Sequence, residues 1–307
     1  PFFKGGQGGF YLGASMNTIR GELHEYHPLA RYTSWRLGGV ADRYFRPADL
    51  ADLQIFMQQL PAEEPVTFLG LGSNVLIRDG GIRGTVVHTL NRLDQLSVEG
   101  EWIRVEAGVP CAKLAKYCAK QGFPEGAFFA GIPGTVGGAL RMNAGAFNGE
   151  TWQHVRWVEV LTRAGEVQRL SADAFETGYR TVKGLQDAWF VAGCFDFELG
   201  DSASVEARIQ ALLKRRSETQ PIGTYNCGSV FRNPPNDFAA RLIETANLKG
   251  FTVGGAVVSS VHANFIVNEH HATAADVEQL IEHVHATVLA HHGVSLVREV
   301  HILGEPV

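Results

Sequence analysis

The sequence predicts an α+β fold rather than a regular alternation of strands and crossover helices. Two stretches, residues 95–109 and 155–170, alternate apolar and polar side chains on either side of a glycine-containing turn, as antiparallel hairpins do. The helical patterns are not each followed by a parallel strand, as a βαβ repeat requires. With 307 residues, the chain is long enough for two or three domains that each bury a core.

The first third of the chain predicts one helix and several short strands. Residues 1–15 show no structural period, and we interpret them as an N-terminal extension, because Met16 stands where a natural start would lie. A helix is expected at 48–60, with strands at 66–69 and 85–90. Between these strands, Leu76-Ile77 followed by Asp79-Gly80-Gly81 indicates a short strand and a turn.

The residues 70–74 between these strands superficially resemble a dinucleotide fingerprint. The third glycine of GxGxxG is replaced by Val75, and a strand rather than a helix follows, so the Rossmann interpretation fails. Two interpretations remain. The loop is either an ordinary tight turn, or a turn whose backbone N–H groups, together with Ser73 and Asn74, hold a pyrophosphate.

The middle of the chain predicts hairpins on either side of a glycine-rich stretch. The first hairpin turns at Glu99-Gly100, and a helix at 111–121 ends at Gly122. The second turns at 163–165, and residues 187–199 form either a strand pair or one long strand with a bulge near Gly193.

Residues 131–149, GIPGTVGGALRMNAGAFNG, contain six glycines spaced by apolar side chains that need burial. We therefore predict a folded loop that lines the pocket of a cofactor. The alternative is a tight chain reversal packed against the sheet.

The pattern changes near residue 203, and we predict a domain boundary at 200–210. A helix closed by Pro221 follows this boundary. The remaining elements expected are a loop around Ser229, a helix ending at Gly250, a strand at 263–268, a helix at 274–291 and a final strand at 296–304.

Composition limits the classes of function. The net charge is −5, no apolar run could span a bilayer and no signal peptide is present, so we expect a cytoplasmic protein that binds neither nucleic acid nor membrane. The four cysteines are scattered and the late histidines occur as adjacent pairs, so we expect no disulfides and no metal site.

Packing in a hydrophobic core does not explain the local sequence around three polar residues. Ser229 follows a glycine in CGSVFRNP, Arg180 lies with Tyr179 in TGYRT, and Glu299 interrupts the apolar strand LVREVHIL. Considered one at a time, each residue also has an ordinary structural interpretation: Ser229 as a hydroxyl in a turn, and Arg180 and Glu299 each as one member of a surface ion pair. No GxSxG elbow supports a hydrolase.

Several motifs occur together in an order that is more specific than any one of them. They are GSNVLI at 72–77, GIPGTVGGALRMNAGA at 131–146, GYR at 178–180, GSVFRNP at 228–234, HANFIVN at 262–268 and EVHILG at 299–304. In these motifs the chain, from Thr33 to Gly304, resembles the UDP-N-acetylenolpyruvoylglucosamine reductases, the flavoenzymes that complete UDP-N-acetylmuramate for peptidoglycan.

The resemblance implies a two-subdomain FAD-binding fold of the vanillyl-alcohol-oxidase type, followed by a C-terminal α+β substrate-binding domain. The implied divisions are residues 16–92 and 93–203 for the two FAD-binding subdomains and 204–307 for the substrate domain. We expect a monomer with non-covalent FAD, because no His or Cys stands where it would be expected to link a flavin.

The resemblance also implies a set of site residues. Those expected to bind FAD are Gly70, Gly72, Ser73, Asn74, Val75, Pro133, Gly134, Gly137, Gly138, Asn143, Gly145 and Ala146. Those expected to bind the substrate are Tyr179, Arg216, Arg232, Asn233, His262 and His301.

In the implied reaction, NADPH gives a hydride to FAD, and reduced FAD passes it to C3 of the enolpyruvyl ether of UDP-N-acetylglucosamine enolpyruvate. Arg180 matches the arginine whose guanidinium stabilises the negative charge then developing at C2, Glu299 matches the family's catalytic glutamate, and Ser229 matches the acid that protonates C2. The alternatives are an FAD-dependent oxidase of the same fold and a nucleotide-binding module without catalysis.

Three departures from the family pattern stand out. His301 replaces an arginine that many relatives carry, and Thr181 replaces a serine. Little sequence separates Leu199 from the following helix, so the chain resembles the shorter subgroup that lacks the tyrosine-bearing lid.

Overall fold

The computed structural model describes residues 18–307, apart from the side chains of Ser202 and Ser204. The extension predicted at 1–15, and Met16, lie outside the described residues.

The first region is a mixed four-stranded sheet in the order β1-β2-β5-β3, in which β1 is antiparallel to β2 and the other pairs are parallel. Leu53, Phe56 and Met57 of its helix pack against the sheet beside Phe45. The predicted helix and strands of this region are confirmed. The elements are β1 (Glu22–Pro28), β2 (Val40–Arg46), α1 (Leu50–Gln59), β3 (Val66–Leu69), β4 (Val75–Ile77) and β5 (Ile82–His88).

The second region is a five-stranded antiparallel sheet in the order β11-β10-β14-β7-β6. Both predicted hairpins are confirmed, and α2 ends at Gly122, whose φ of 78° is left-handed. The elements are β6 (Leu96–Glu99), β7 (Trp102–Glu106), α2 (Cys111–Gln121), α3 (Val136–Met142), β8 (Gly145–Ala146), β9 (Gly149–Glu150), β10 (Val155–Thr162), β11 (Val167–Ser171), β12 (Glu176–Gly178), β13 (Thr181–Lys183) and β14 (Ala188–Phe195).

Two predictions for this region need correction. The folded loop expected at 131–149 contains the short helix α3, because Val136, Ala139 and Leu140 recur at helical spacing and bury together in the core. Residues 188–195 form one strand. Its extra residue is Val191, two residues from Gly193, near which the sequence predicts a bulge, since Ala192 pairs with Glu159 while Phe190 pairs with the next residue along β10.

The C-terminal region packs a small antiparallel sheet, β15-β16-β17, against α5 and α6. Its elements are α4 (Ser202–Thr219), α5 (Ala239–Thr245), β15 (Thr252–Val253), β16 (Ala256–Val258), β17 (Ile266–Asn268), α6 (Ala274–His292) and β18 (His301–Leu303). Val205 and Ile209 of α4 pack into the core of the second region. The domain divisions at 92/93 and 203/204 stay predictions.

Three C-terminal elements are shorter than predicted, and one of them is the strand expected at 263–268, which covers only Ile266–Asn268. Helix α5 ends at Thr245 rather than near Gly250, because Asn247 adopts a left-handed φ of 59°. The final strand covers only 301–303, because the residues before it bond elsewhere: the Arg232 N–H donates to the Val297 carbonyl and the Glu299 N–H to the Val230 carbonyl.

Polar contacts join the C-terminal region to the first region. Trp35 is fully buried in the C-terminal core and donates from Nε1 to the Ile266 carbonyl at 2.8 Å. Asp79, which follows β4, accepts hydrogen bonds from the first two N–H groups of α6, at Ala274 and Ala275, both at 3.0 Å. Arg78 pairs with Glu278 of the same helix at 2.6 Å.

We predict that Asp79→Ala lowers the free energy of unfolding by about 1 kcal/mol, because two N–H groups at the start of α6 lose their charged acceptor. Urea unfolding followed by circular dichroism measures the change. Asp94→Ala is the matched control, since the Asp94 carboxylate pairs with the exposed Lys113 at 3.5 Å and caps no helix; an equal loss in both variants would contradict the prediction.

Candidate active site

A cavity of about 780 Å³ lies where the three regions meet. Its wall combines residues 69–75, most of 131–148, one face of α4, the loop around Ser229 and the end of the chain. The side chains with polar chemistry that line it include Ser73, Asn74, Thr135, Arg141, Asn148, Arg180, Arg215, Arg216, Thr219, Gln220, Ser229, Glu299 and His301.

Residues 70–74, the first glycine loop, turn tightly at the wall of this cavity. Gly72 has a φ of 68°, and a Cβ there would lie 2.1 Å from the Tyr32 carbonyl oxygen, so no other residue fits. Among the described residues, no acceptor bonds the backbone N–H groups of Gly72, Ser73 and Asn74. Unpaired N–H groups in a turn are suited to holding an anion such as a pyrophosphate.

The glycines of residues 131–149 divide into two kinds. A Cβ on Gly137 would meet the Cβ of Ala107 at 2.8 Å, so packing within the protein requires this glycine. A Cβ on Gly134 or Gly138 would come no closer than 3.4 Å to any atom, and both residues line the cavity. The protein therefore leaves room at these two positions, as a cradle for a bound cofactor does.

Ten of the twelve residues predicted to bind FAD line the cavity: Gly70, Gly72, Ser73, Asn74, Val75, Pro133, Gly134, Gly138, Gly145 and Ala146. Gly137 and Asn143 do not. Asn143 is buried, and its amide donates to Glu150 at 3.0 Å and to the Gly178 carbonyl at 3.1 Å. It therefore ties the glycine-rich segment to the hairpin that carries Arg180.

Arg180 and Glu299 form an ion pair inside the cavity. The Arg180 Nε donates to Glu299 Oε1 at 2.9 Å and its Nη2 to the Gly145 carbonyl at 3.2 Å, with side chains that are 19% and 12% exposed. Arg180 sits at the β12–β13 turn with a left-handed φ of 54°, a strained conformation of the sort found at functional sites. Burial raises the pKa of Glu299, although Arg180 and Arg232 act in the opposite direction.

Ser229 lines the same cavity and is half-buried. Its loop is fixed by backbone bonds: the Val230 N–H donates to the Asn264 carbonyl at 2.9 Å, and the Val230 carbonyl accepts from the Glu299 N–H at 2.8 Å. The structure thus brings together the three predicted catalytic residues, which lie far apart in the sequence.

The comparisons with known proteins agree with this geometry. Residues 41–171 match the FAD binding domain model, and residues 220–303 match the model of the UDP-N-acetylenolpyruvoylglucosamine reductase C-terminal domain. A relative with that reductase name from Coxiella burnetii (strain Dugway 5J108-111) is 58% identical over 310 residues, covering 94% of this chain and 98% of its own. Another from Alkalilimnicola ehrlichii is 57% identical, covering 96% and 99%.

The chain belongs to the UDP-N-acetylenolpyruvoylglucosamine reductase family. A solved reductase of this family from Thermus caldophilus superimposes with a TM-score of 0.80 at 29% identity, covering 94% of this chain and 100% of its own. The α+β fold predicted from the residue patterns is confirmed, and so are the family, the FAD cofactor with NADPH as reductant and the reductase function in peptidoglycan precursor synthesis that the motifs predicted.

Of the residues predicted to bind the reductase substrate, Arg216 and His301 line the cavity. Burial lowers the pKa of Arg216, whose Nε donates to Gln220 at 3.0 Å. Burial is the largest cause that lowers the pKa of His301, and the positive charges of Arg141, Arg232 and Arg298 lower it further.

The other four predicted substrate residues lie outside the cavity lining. Tyr179 is 48% exposed beside Arg180, and Arg232 donates to Thr181 at 3.4 Å. Asn233 accepts from the Ala239 N–H at the start of α5, and His262 accepts from the Asn264 N–H. Asn233 and His262 therefore have evident structural contacts, and all four substrate roles stay predictions.

Sequence reasoning missed several residues of the wall. Arg141 is the one charged residue of the motif at 131–149, which is a signal that could have identified it. Leu212, Arg215 and Thr219 share one face of α4 with Arg216, at the spacing of adjacent helical turns. Phe147 and Asn148 both have a left-handed φ, of 54° and 67°, in the turn between β8 and β9.

Within residues 18–307, no group of three or more His, Cys, Asp or Glu side chains could hold a metal ion. No helix of this described part is long and apolar enough to cross a membrane. The four cysteines are all buried and unpaired.

We predict that Gly134→Val weakens FAD binding by about tenfold or more while leaving the fold intact, because its side chain enters open cavity space rather than protein. Titration of the apoprotein with FAD gives the affinity, and thermal unfolding of the apoprotein tests the fold. Gly178→Val is the control, since a Cβ at Gly178 would meet nothing within 4 Å and Gly178 does not line the cavity.

Proposed function

We propose that this cavity is the site where UDP-N-acetylglucosamine enolpyruvate is reduced to UDP-N-acetylmuramate, with Arg180, Glu299 and Ser229 as its catalytic residues. The observation that carries the proposal is that these three residues converge on a wall whose glycines leave room for a cofactor. When bound, FAD supplies the hydride that originates from NADPH and is delivered to C3 of the enolpyruvyl group.

The chain would hold FAD without a covalent bond. The free N–H groups of the first glycine loop would bind its pyrophosphate, and Pro133, Gly134, Gly138, Gly145 and Ala146 would lie against the flavin and ribityl chain. Backbone donors suit this contact, because they present dipoles to the phosphates without side-chain bulk.

Arg180 would stabilise the negative charge that develops at C2 and in the neighbouring carboxylate. Its guanidinium is already held by Glu299 and the Gly145 carbonyl through Nε and Nη2, so it need not reorganise when charge appears. A fixed donor of this sort contributes about 3–4 kcal/mol to the transition state.

Ser229 would donate the proton that C2 receives. A hydroxyl is a weak acid in water, so this role needs a position removed from solvent and a polar group that resupplies the proton. Ser229 is half-buried, and Glu299, with its raised pKa, lines the same cavity. We assign the proton supply to this serine and carboxyl group together.

Arg216 and His301 would contact the nucleotide-sugar from the cavity wall, and Tyr179, Arg232, Asn233 and His262 from farther out. We further propose that the protein works as a monomer in the cytoplasm. Four buried, unpaired cysteines fit a reducing compartment, and the net charge of −5 gives no support to nucleic-acid binding.

We predict that Ser229→Ala keeps flavin reduction by NADPH but slows reoxidation of the flavin by the enolpyruvyl substrate about 10²–10⁴-fold, because the proton donor acts only in the second step. Anaerobic stopped-flow absorbance separates the two half-reactions. The control is Ser295→Ala, because the Ser295 hydroxyl hydrogen-bonds to His285 of α6 and Ser295 does not line the cavity.

An equal loss in both half-reactions would remove Ser229 from the proton-donor role. Fast NADPH oxidation in air without the enolpyruvyl substrate would instead favour an oxidase of the same fold.

We predict that Arg180→Lys lowers the rate of substrate reduction about 10²-fold or more, because lysine keeps the charge but not the geometry set by Glu299 and Gly145. The same stopped-flow experiment measures this loss. Arg169→Lys is the matched control, since Arg169 pairs with Glu159 and stacks on Trp157 away from the cavity. A wild-type rate in Arg180→Lys would contradict the electrostatic role.

A further inference from the structure

Asn143 follows helix α3, is 2% exposed and does not line the cavity. Its amide nitrogen donates to Glu150 Oε2 at 3.0 Å and to the Gly178 carbonyl at 3.1 Å, and its amide oxygen accepts from the Trp152 N–H at 3.0 Å. Because a carbonyl can only accept and an N–H can only donate, these contacts decide which end of the amide is the nitrogen. Both amide hydrogens are therefore used inside the protein, and neither is left for a ligand.

The bond to Gly178 supports the hairpin that carries Arg180. Strands β12 and β13 pair Gly178 with Thr181, so the turn between them contains only two residues. Arg180 is the second of the two, and its φ of 54° is left-handed at a position that glycine or asparagine usually occupies. Such a strained turn persists only where the surrounding structure holds it. The Asn143 amide holds it at the carbonyl of the residue that precedes the turn.

The bond to Glu150 supports the strand that accepts from the Arg180 side chain. The Arg180 Nη2 donates to the Gly145 carbonyl of β8 at 3.2 Å, and Gly145 pairs with Glu150 of β9. Glu150 in turn accepts from Asn143. One buried amide is thus connected to Arg180 twice, at the backbone before its turn and at the strand that receives its guanidinium.

The backbone of Asn143 gives a second reason for an asparagine at this position. Its φ of 44° is left-handed, a conformation that asparagine adopts at helix ends more readily than most other residues. That reason does not require the three hydrogen bonds of the side chain. Glycine adopts the same backbone conformation without strain and has no amide, so Asn143→Gly separates the two roles.

We propose that Asn143 is a positioning residue for the reaction: its amide holds the β12–β13 turn and the β8–β9 hairpin together, so that the Arg180 guanidinium keeps the orientation set by Glu299 and the Gly145 carbonyl. Without the amide the strained turn is free to relax, and the guanidinium loses the fixed orientation that stabilises developing charge. Asn143 touches neither cofactor nor substrate in this role and acts only through Arg180. The proposal rests on the proposed catalytic role of Arg180.

The first test compares Asn143→Gly with the wild-type holoprotein by anaerobic stopped-flow absorbance. We expect reoxidation of the reduced flavin at saturating enolpyruvyl substrate to slow about tenfold, because misplacement of a catalytic group lowers the rate of the chemical step. We expect the affinity of the apoprotein for FAD to change less than about twofold, because the amide has no hydrogen left for the cofactor. Asn247→Gly is the matched control, since Asn247 follows α5 with a φ of 59°, is exposed and does not line the cavity.

The second test asks whether Asn143 acts through Arg180, by making Asn143→Gly in an Arg180→Lys background. If both changes remove the same interaction, their effects on the rate are not additive. We therefore expect Asn143→Gly to slow reoxidation less than about twofold further when Arg180 is already lysine. A loss of about tenfold in both backgrounds would reveal a role independent of Arg180 and would overturn the proposal.

The third test changes Glu150 and leaves the asparagine in place. Glutamine keeps an acceptor oxygen for the Asn143 amide and alanine does not, so we expect slow reoxidation in Glu150→Ala and near wild-type reoxidation in Glu150→Gln. Near-UV circular dichroism confirms that each variant is folded, and the Glu150 pair decides the proposal if Asn143→Gly does not fold.

Wild-type reoxidation in folded Asn143→Gly or folded Glu150→Ala, or an equal loss in Glu150→Ala and Glu150→Gln, would overturn the proposal. So would a loss of FAD affinity in Asn143→Gly that accounts for its slower rate.

The same experiments separate this proposal from the function on which it rests. If Arg180→Lys reduces the substrate at the wild-type rate, the proposed catalytic role of Arg180 is wrong. If Arg180→Lys is slow while folded Asn143→Gly and Glu150→Ala react as the wild type does, only the role of Asn143 fails.

Discussion

The parallel pairing of β4 with β18 is the interaction on which the site depends. It aligns Val75, Leu76 and Ile77 with His301, Ile302 and Leu303, near opposite ends of the chain. At its edge, the His301 N–H donates to the Asn74 carbonyl and the Asn74 amide to the Glu299 carbonyl, so the first glycine loop and the proposed catalytic residue Glu299 share one support. Asp79 and Arg78, which follow β4, then anchor α6. A shift of this pairing would move both sides of the cavity at once.

The glycines in and beside the cavity wall have two different roles: some avoid collisions within the protein, and others leave room in the cavity. Gly72 and Gly137 are required because neighbouring atoms of the protein would collide with a side chain. A Cβ at Gly134 or Gly138 would come no closer than 3.4 Å to a neighbouring atom and both residues line the cavity, so their small size leaves room for what enters it. Both kinds occur in the same sequence motif, and their different physical reasons become visible only once the neighbours are known.

Buried polar groups on the two sides of the cavity differ in their charge. On the proposed substrate side, Arg180 and Glu299 form an ion pair, so charge is already in place where the proposed reaction would develop more of it. Behind the first glycine loop, His88 is kept neutral by burial and by nearby arginines. The arrangement places fixed charge beside the proposed reacting atoms and a hydrogen bond from a neutral ring behind the first glycine loop.

The sequence by itself determined the features that local chemistry controls. Alternating patterns predicted the hairpins, Gly122 predicted the end of α2, and the motifs around residues 70–75, 131–146, 180, 229 and 299 predicted the family and most of the cavity wall. Tertiary structure decided the rest. It limited β18 to three residues, because the preceding residues bond to the Ser229 loop, and it gave Asn143 a structural contact. It also placed His88 behind Gly70. These features depend on contacts between residues distant in the chain, and no local pattern of spacing or propensity records which distant backbone group will be the partner.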